Sequence, residues 1–352
     1  YDPKRVPTAL DLTDNTNLWG IPPVAERTLR ELPASRVTRY PSLYAADLKV
    51  ALAQTIGVTP DMLVTGCGSD DVLDSAMRAV GDPGMLVAYS EPTFAMVPIF
   101  SRMNALRAIG VPERANGELD VDALLATGAD LLYLCAPNNP TGRLIPRPTL
   151  ERILRDFPGY VVIDEAYIEF AGPDASHVPL LAGHERLLLV RTMSKAYGLA
   201  GLRVGYAIAN PALAAEVEKS RGPYKVNALA ESVALAAITH DRAWVDAHIA
   251  LAVEHRLRLE ARLREMGLEP IPSSANFTCV PVADCVEVGA AMRARGVAVR
   301  PFPGLPHVGD CLRISVGPWE LVEQCLMTLR AVLAERGPLQ RTDTMPIPGA
   351  RA

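Results

Sequence analysis

Thirteen residues near the middle of the chain carry the densest chemistry in it: Arg191-Thr192-Met193-Ser194-Lys195-Ala196-Tyr197-Gly198-Leu199-Ala200-Gly201-Leu202-Arg203. A lysine, hydroxyls at 192 and 194, a second cation and a glycine-lightened backbone fall together here. A lysine amine can form a Schiff base with an aldehyde, and Ser194 and Arg203 can hold a phosphate dianion through charge-assisted hydrogen bonds. The grouping therefore suits an aldehyde cofactor bearing a phosphate. A surface lysine following a strand explains the same residues without chemistry.

Two further segments supply what pyridoxal phosphate needs. Asp164-Glu165-Ala166-Tyr167 follows the apolar run Tyr160-Val161-Val162-Ile163, which reads as a buried strand and puts Asp164 at a carboxyl end. A carboxylate there can pair with a pyridinium nitrogen and keep it protonated, the condition for the ring to act as an electron sink. Pro137-Asn138-Asn139-Pro140-Thr141-Gly142 follows a second apolar run, Leu131-Leu132-Tyr133-Leu134-Cys135. Asn139 and Tyr167 can both donate to the ring's phenolic oxygen. An ordinary ion-paired carboxylate and a buried tyrosine are the alternatives for Asp164 and Tyr167.

With these segments in view, the chain resembles the fold-type I pyridoxal-phosphate aminotransferases, and within them the histidinol-phosphate aminotransferase group, over residues 10–333. The motifs stand in family order: Arg39-Tyr40-Pro41, Gly66-Cys67-Gly68-Ser69-Asp70-Asp71, Pro92-Thr93-Phe94, Asn138 to Gly142, Asp164 to Tyr167, Ser194-Lys195, Gly201-Leu202-Arg203 and Cys311-Leu312-Arg313-Ile314. The resemblance implies a mostly parallel seven-stranded sheet in a large domain, with a smaller α/β C-terminal domain. It makes Lys195 the catalytic lysine, with Asp164 and Tyr167 beside it. It implies phosphate contacts from the Ser69 and Asp70 amides, Ser194 and Arg203, stacking of Phe94 on the ring, and a homodimer in which Tyr40 reaches the neighbouring subunit's phosphate. A cap residue at 69 or 70, a core phenylalanine and a turn tyrosine before Pro41 are the structural counterparts.

On an alternating strand, Arg313 is costly facing inward unless paired, and its planar fork suits a substrate carboxylate. Arg300 matches the family's second arginine at the site mouth, a solvated surface arginine being the alternative. At the N-terminal signature this chain has Asn15-Thr16-Asn17-Leu18 followed by Trp19, with Thr16 and Leu18 in place of an acid and a proline; Asn17 and Trp19 are candidate substrate contacts. Cys67 stands where the family usually has asparagine. Histidinol phosphate is the first substrate expected, an aromatic amino acid the second, and a lyase or decarboxylase of a phosphorylated amino acid the third.

Composition agrees with small-molecule chemistry. The 352 residues are 49% hydrophobic, enough for a large core, and 40 acidic against 35 basic residues give a charge of -5 with no basic cluster to suit nucleic acid or an anionic membrane. Apolar runs such as Leu187-Leu188-Leu189-Val190 fall far short of the ~20 residues of a membrane span. Six cysteines (Cys67, Cys135, Cys279, Cys285, Cys311, Cys325) and six histidines lack metal-ligand spacing, so no metal is expected and a reducing cytoplasm fits. The chain begins at Tyr1 with no signal peptide in view.

Six short apolar runs, starting at Met62, Met85, Leu131, Tyr160, Leu187 and Val204, alternate with amphipathic stretches, which implies a mostly parallel sheet covered by helices. Ligands of such sheets gather at the strands' carboxyl ends, where the cofactor segments fall. The division expected is an irregular arm over 1–29, a large domain over 30–245, a small one over 246–336 led by a helix near 244–266, and an irregular tail over 337–352. Strands are expected at 276–280, 297–300 and 312–316, with helices near 285–295 and 318–335.

Overall fold

The computed structural model describes residues 7–336, so the first six residues of the arm and the expected 337–352 tail lie outside the described residues. Seven strands form the main sheet in the order Leu63–Cys67, Val204–Ala209, Leu187–Thr192, Tyr160–Asp164, Leu131–Cys135, Leu86–Glu91 and Arg107–Pro112. Four neighbouring pairs are parallel; only Val204–Ala209 runs antiparallel to both of its neighbours. Strands buried on both faces are largely apolar, and Leu131–Cys135, Leu187–Thr192 and Val204–Ala209 are buried throughout, with Arg191 and Thr192 the buried polar residues at the carboxyl end of the second.

The two faces of this sheet bury separate clusters. One gathers Val72, Leu73, Ala76 and Met77 of the helix Gly68–Val80 with Val64, Tyr133, Cys135 and Val162. The other holds Leu48, Leu132, Leu150, Ile163, Leu189 and Tyr206. The 24-residue helix Arg242–Glu265 leads from this body to an antiparallel three-stranded sheet, Arg300–Leu305, Gly309–Ser315 and Phe277–Pro281, covered by the helices Cys285–Ala294 and Trp319–Glu335. Leu259, Val280, Val288, Leu312, Ile314 and Leu329 make its core. Among the described residues no helix is long and apolar enough to cross a membrane.

Three expectations need correction. The seventh strand, Arg107–Pro112, escapes a search for apolar runs because it is an edge strand with Arg107, Ile109 and Pro112 exposed, Ala108 and Gly110 half-buried and Val111 buried. The expected strand at 297–300 is two: Val297–Ala298 pairs in parallel with Leu10–Asp11, and Arg300 opens the strand that pairs with Gly309–Ser315. The arm is not irregular throughout, since it contributes that Leu10–Asp11 strand and the start of the helix Pro23–Glu31. Proline at the first helical position has no N–H to lose and a φ already helical, so a proline-rich stretch here opens a helix.

Candidate active site

At the carboxyl end of Tyr160–Asp164, Asp164 is buried and its carboxylate receives two protein donors, the Tyr133 hydroxyl on Oδ2 at 2.8 Å and the Ala166 amide on Oδ1 at 3.0 Å. Burial pushes its pKa up to about 6, against the lowering effect of the two donors. Such a carboxylate is poised to accept a positive partner. Three residues on, Tyr167 packs edge-on to Phe277, with ring centroids 5.0 Å apart, and its Oη accepts from Asn15 Nδ2 at 3.2 Å. The Tyr167 hydroxyl hydrogen is left to donate, and burial holds its pKa up near 12.

Lys195 lies in the turn after Leu187–Thr192, its Nζ donating to the Asp14 carbonyl at 2.8 Å and standing 5.7 Å from the Tyr167 ring centroid. Burial first, then the nearby Arg313 charge, lowers its pKa to about 8, so a substantial neutral amine fraction is available near neutral pH. Thr192 Oγ1 accepts from the Ser194 amide at 3.1 Å and donates to Ser194 Oγ at 2.9 Å, which fixes the turn entering Lys195.

The Gly68–Val80 helix starts directly after its strand and has no side-chain cap, so its first-turn N–H groups, Ser69 and Asp70 among them, have no partner within the helix. Arg203, in the left-handed region at φ 55°, sets its guanidinium against Gly68 and 3.4 Å from Asp70 Oδ2. A Cβ at Gly68 would collide with that guanidinium, and one at Gly205 would collide with the Ser69 amide nitrogen. Uncapped amides, an arginine and a backbone stripped of Cβ atoms make a cradle for a phosphate. Burial raises the Asp70 pKa, opposed by Arg203 and Lys195, which places these three charges within one field.

Arg313 extends from the small sheet into the same space. Its Nη1 donates to Asn139 Oδ1 at 2.5 Å and its Nη2 to the Thr13 carbonyl, while Nε is buried without a partner. Phe277 and Phe302 flank the guanidinium, each ring centroid 5.3 Å away. Arg300 lies opposite in register and adds to the lowering of the Arg313 pKa that burial begins. With its Oδ1 occupied by Arg313, Asn139 has Nδ2 free to donate into the site. Arg300 and Arg313, side by side in register, with the Asp14 carboxylate as the acidic charge acting on Arg313, suit an anionic ligand.

The other candidates are arranged differently. Phe94 is half-buried, in a segment latched by Asn138, which donates to the Pro92 carbonyl and accepts from Thr93 Oγ1. Asn17 donates to the Ala196 carbonyl at 3.2 Å and so braces the lysine turn. Trp19 packs against His248 and His255, centroids 5.9 and 5.8 Å away, in contact with the cores of both sheets. Tyr40 is 82% exposed and stacks on Tyr224, with ring centroids 4.9 Å apart. Asn15 and Tyr133, to which sequence reasoning gave no role, are the direct partners of Tyr167 and Asp164; Asn15 opens the N-terminal signature, whereas Tyr133 sits in no local pattern that announces it.

The family model described as aminotransferase class I and II matches residues 7–329. The chain belongs to that family. It is 38% identical to a histidinol-phosphate aminotransferase of Methylibium petroleiphilum over 314 residues, covering 87% of this chain and 84% of the relative. A histidinol-phosphate aminotransferase of Nostoc is 33% identical over 95% of this chain and 94% of its own. The crystal structure of histidinol-phosphate aminotransferase from Sinorhizobium meliloti, in complex with pyridoxal-5'-phosphate, superposes with a TM-score of 0.85 at 26% identity, over 94% of this chain and 92% of that one. As a family member with this fold, the chain is a pyridoxal-phosphate-dependent transaminase of fold type I.

Proposed function

We propose that this aminotransferase exchanges an amino group between histidinol phosphate and a 2-oxo acid such as 2-oxoglutarate, as a cytoplasmic homodimer. Relatives of similar length named for that activity, at 32–38% identity, support the substrate. The observation that carries the chemistry is Arg313, a buried guanidinium with an unpartnered Nε in the space it shares with Lys195. It offers one anchor to the phosphate of the first substrate and to a carboxylate of the second, with Arg300 as a second cation beside it.

Pyridoxal phosphate, when bound, supplies an aldehyde carbon that joins to amines and a ring that takes up negative charge. The cradle of Ser69 and Asp70 amides, Ser194 and Arg203 holds its phosphate, and Tyr40 of the neighbouring subunit completes that cradle. Asp164 accepts the ring N–H, Asn139 and Tyr167 donate to the phenolic oxygen, and Phe94 covers one ring face. Lys195 Nζ is the attachment point. As a free amine, Lys195 Nζ would be the base that takes the proton from the substrate carbon bearing nitrogen and the acid that gives the same proton back. The second, oxo substrate would call on the same residues in reverse order, with Lys195 again taking up and giving back one proton.

Comparing histidinol phosphate and phenylalanine as donors to 2-oxoglutarate tests the substrate. Preference for histidinol phosphate supports the proposal. Preference for phenylalanine moves the assignment to aromatic amino acids, and efficient reaction of a short-chain amino acid alone overturns the substrate class.

A further inference from the structure

Behind Asp164, the main sheet presents a tyrosine that packing alone does not explain. Register pairs Tyr133 with Val162 and Cys135 with Asp164, so Tyr133 and Asp164 face the same side of the sheet, one residue pair apart. The tyrosine ring lies in the cluster beneath the helix Gly68–Val80 and has no exposure, yet its hydroxyl reaches the carboxylate at 2.8 Å. A phenylalanine would fill the same volume. The hydroxyl adds a donor to an acid that is itself buried, and it also neighbours the Cys135 thiol.

The environment of Asp164 makes that donor matter. Asp70, at the start of the helix, and Glu165, next in the chain and itself paired to Arg191 and His177, both raise its proton affinity, as burial does, and the Cys135 thiol and Tyr167 phenol lie in its field. Tyr133 is the leading opposing influence and the Ala166 amide the next. Burial, followed by the Asp164 charge, pushes the Tyr133 pKa well above the ordinary range, so the phenol keeps its proton and donates at every working pH.

We propose that Tyr133 is a positioning residue whose hydroxyl fixes Asp164 Oδ2 and, by making that carboxylate a poorer proton acceptor, keeps the shared proton on the ring nitrogen. The inference rests on the role proposed above for Asp164. No covalent step is added: the proton stays with the base that already holds it.

Tyr133→Phe deletes the donor and keeps the ring. In the apoprotein, carboxyl carbon NMR of Asp164 reads the effect without cofactor: the titration rises by about one pH unit or more, the scale of a hydrogen bond to a charged group. An unmoved titration overturns the proposal. In the holoenzyme, removal of the α-proton in a single turnover slows about tenfold or more while the substrate Kd stays the same; in an Asp164→Asn background the same change adds nothing further. Equal slowing in both backgrounds means lost packing and overturns the proposal. Undiminished proton removal in Asp164→Asn itself overturns the reading of Asp164 and the proposal with it, whereas a slow Asp164→Asn beside an unchanged Tyr133→Phe overturns the proposal alone. Should Tyr133→Phe fold poorly, 3-fluorotyrosine at position 133 keeps the ring and strengthens the donor, and the Asp164 titration then moves down; no movement overturns the proposal.

Discussion

Lys195 donates to the Asp14 backbone carbonyl, and burial with the Arg313 and Arg203 charges outweighs the Asp14 and Asp70 carboxylates in disfavouring its ammonium form. The neutral amine therefore appears as pH rises through about 8, where an unperturbed lysine would wait for 10.5. Modification of the apoprotein by an amine-directed acylating reagent, followed by peptide mapping, should show Lys195 half-maximally reactive near pH 8; a midpoint above 10 would remove the desolvation argument. Borohydride reduction of the holoenzyme should fix the cofactor to Lys195, and Lys195→Ala should abolish that adduct and the activity. Labelling of Lys225, which is ion-paired to Asp71 at 2.8 Å, would contradict the assignment. Arg313→Lys keeps the charge but loses the planar fork, so KM for the oxo acid should rise about tenfold or more with the cofactor absorbance little changed; an unchanged KM would take the anion away from Arg313. Lys195, Asp164 and Arg313 were legible because each stands at a strand end or on an alternating strand, in a local grouping with recognisable chemistry. Tyr133 was not, since it reads as one more apolar position in Leu131–Cys135, and its partner lies 31 residues further along the chain.

Among the elements, the arm matters more than its sequence suggests. Three successive residues of it touch the site: the Thr13 carbonyl accepts from Arg313, the Asp14 carbonyl from Lys195, and Asn15 donates to Tyr167. Asn15 also accepts from Ser315 Oγ at 2.9 Å, and its φ of 54° is left-handed, a conformation that asparagine tolerates better than most residues. Asn15→Ala should therefore cost about 2 kcal/mol of stability and lower kcat together, through lost bonds and an unfavourable backbone angle. A denaturation midpoint and kcat both equal to the parent's would show the arm to be a passive cover. The signature at 15–18 marked this segment, but its contacts were unreadable because it lacks periodicity and the partners of Asn15 lie 152 and 300 residues away. The parallel core was readable for the opposite reason, every strand buried on both faces being an uninterrupted apolar run, whereas the half-exposed edge strand Arg107–Pro112 carries no such run.

For the whole molecule, Tyr40 is exposed and stacked on Tyr224, and the homodimer proposed above would have each subunit lend this tyrosine to the other's site. Mixing Tyr40→Ala subunits with Lys195→Ala subunits, each inactive alone, should restore part of the activity, because a hybrid dimer carries both lesions in one site and none in the other. Absence of recovery despite demonstrated subunit exchange would assign Tyr40 to its own chain.

The central claim is a two-stage transfer in which the protein stores one amino group between substrates. Histidinol phosphate added alone to the holoenzyme should change the cofactor absorbance once, by one equivalent per active site, and then stop, with no carbon dioxide or ammonia released; 2-oxoglutarate should restore the starting absorbance and form one equivalent of glutamate. Continued turnover of histidinol phosphate without any oxo acid, or a failure of 2-oxoglutarate to restore the absorbance, would contradict the account.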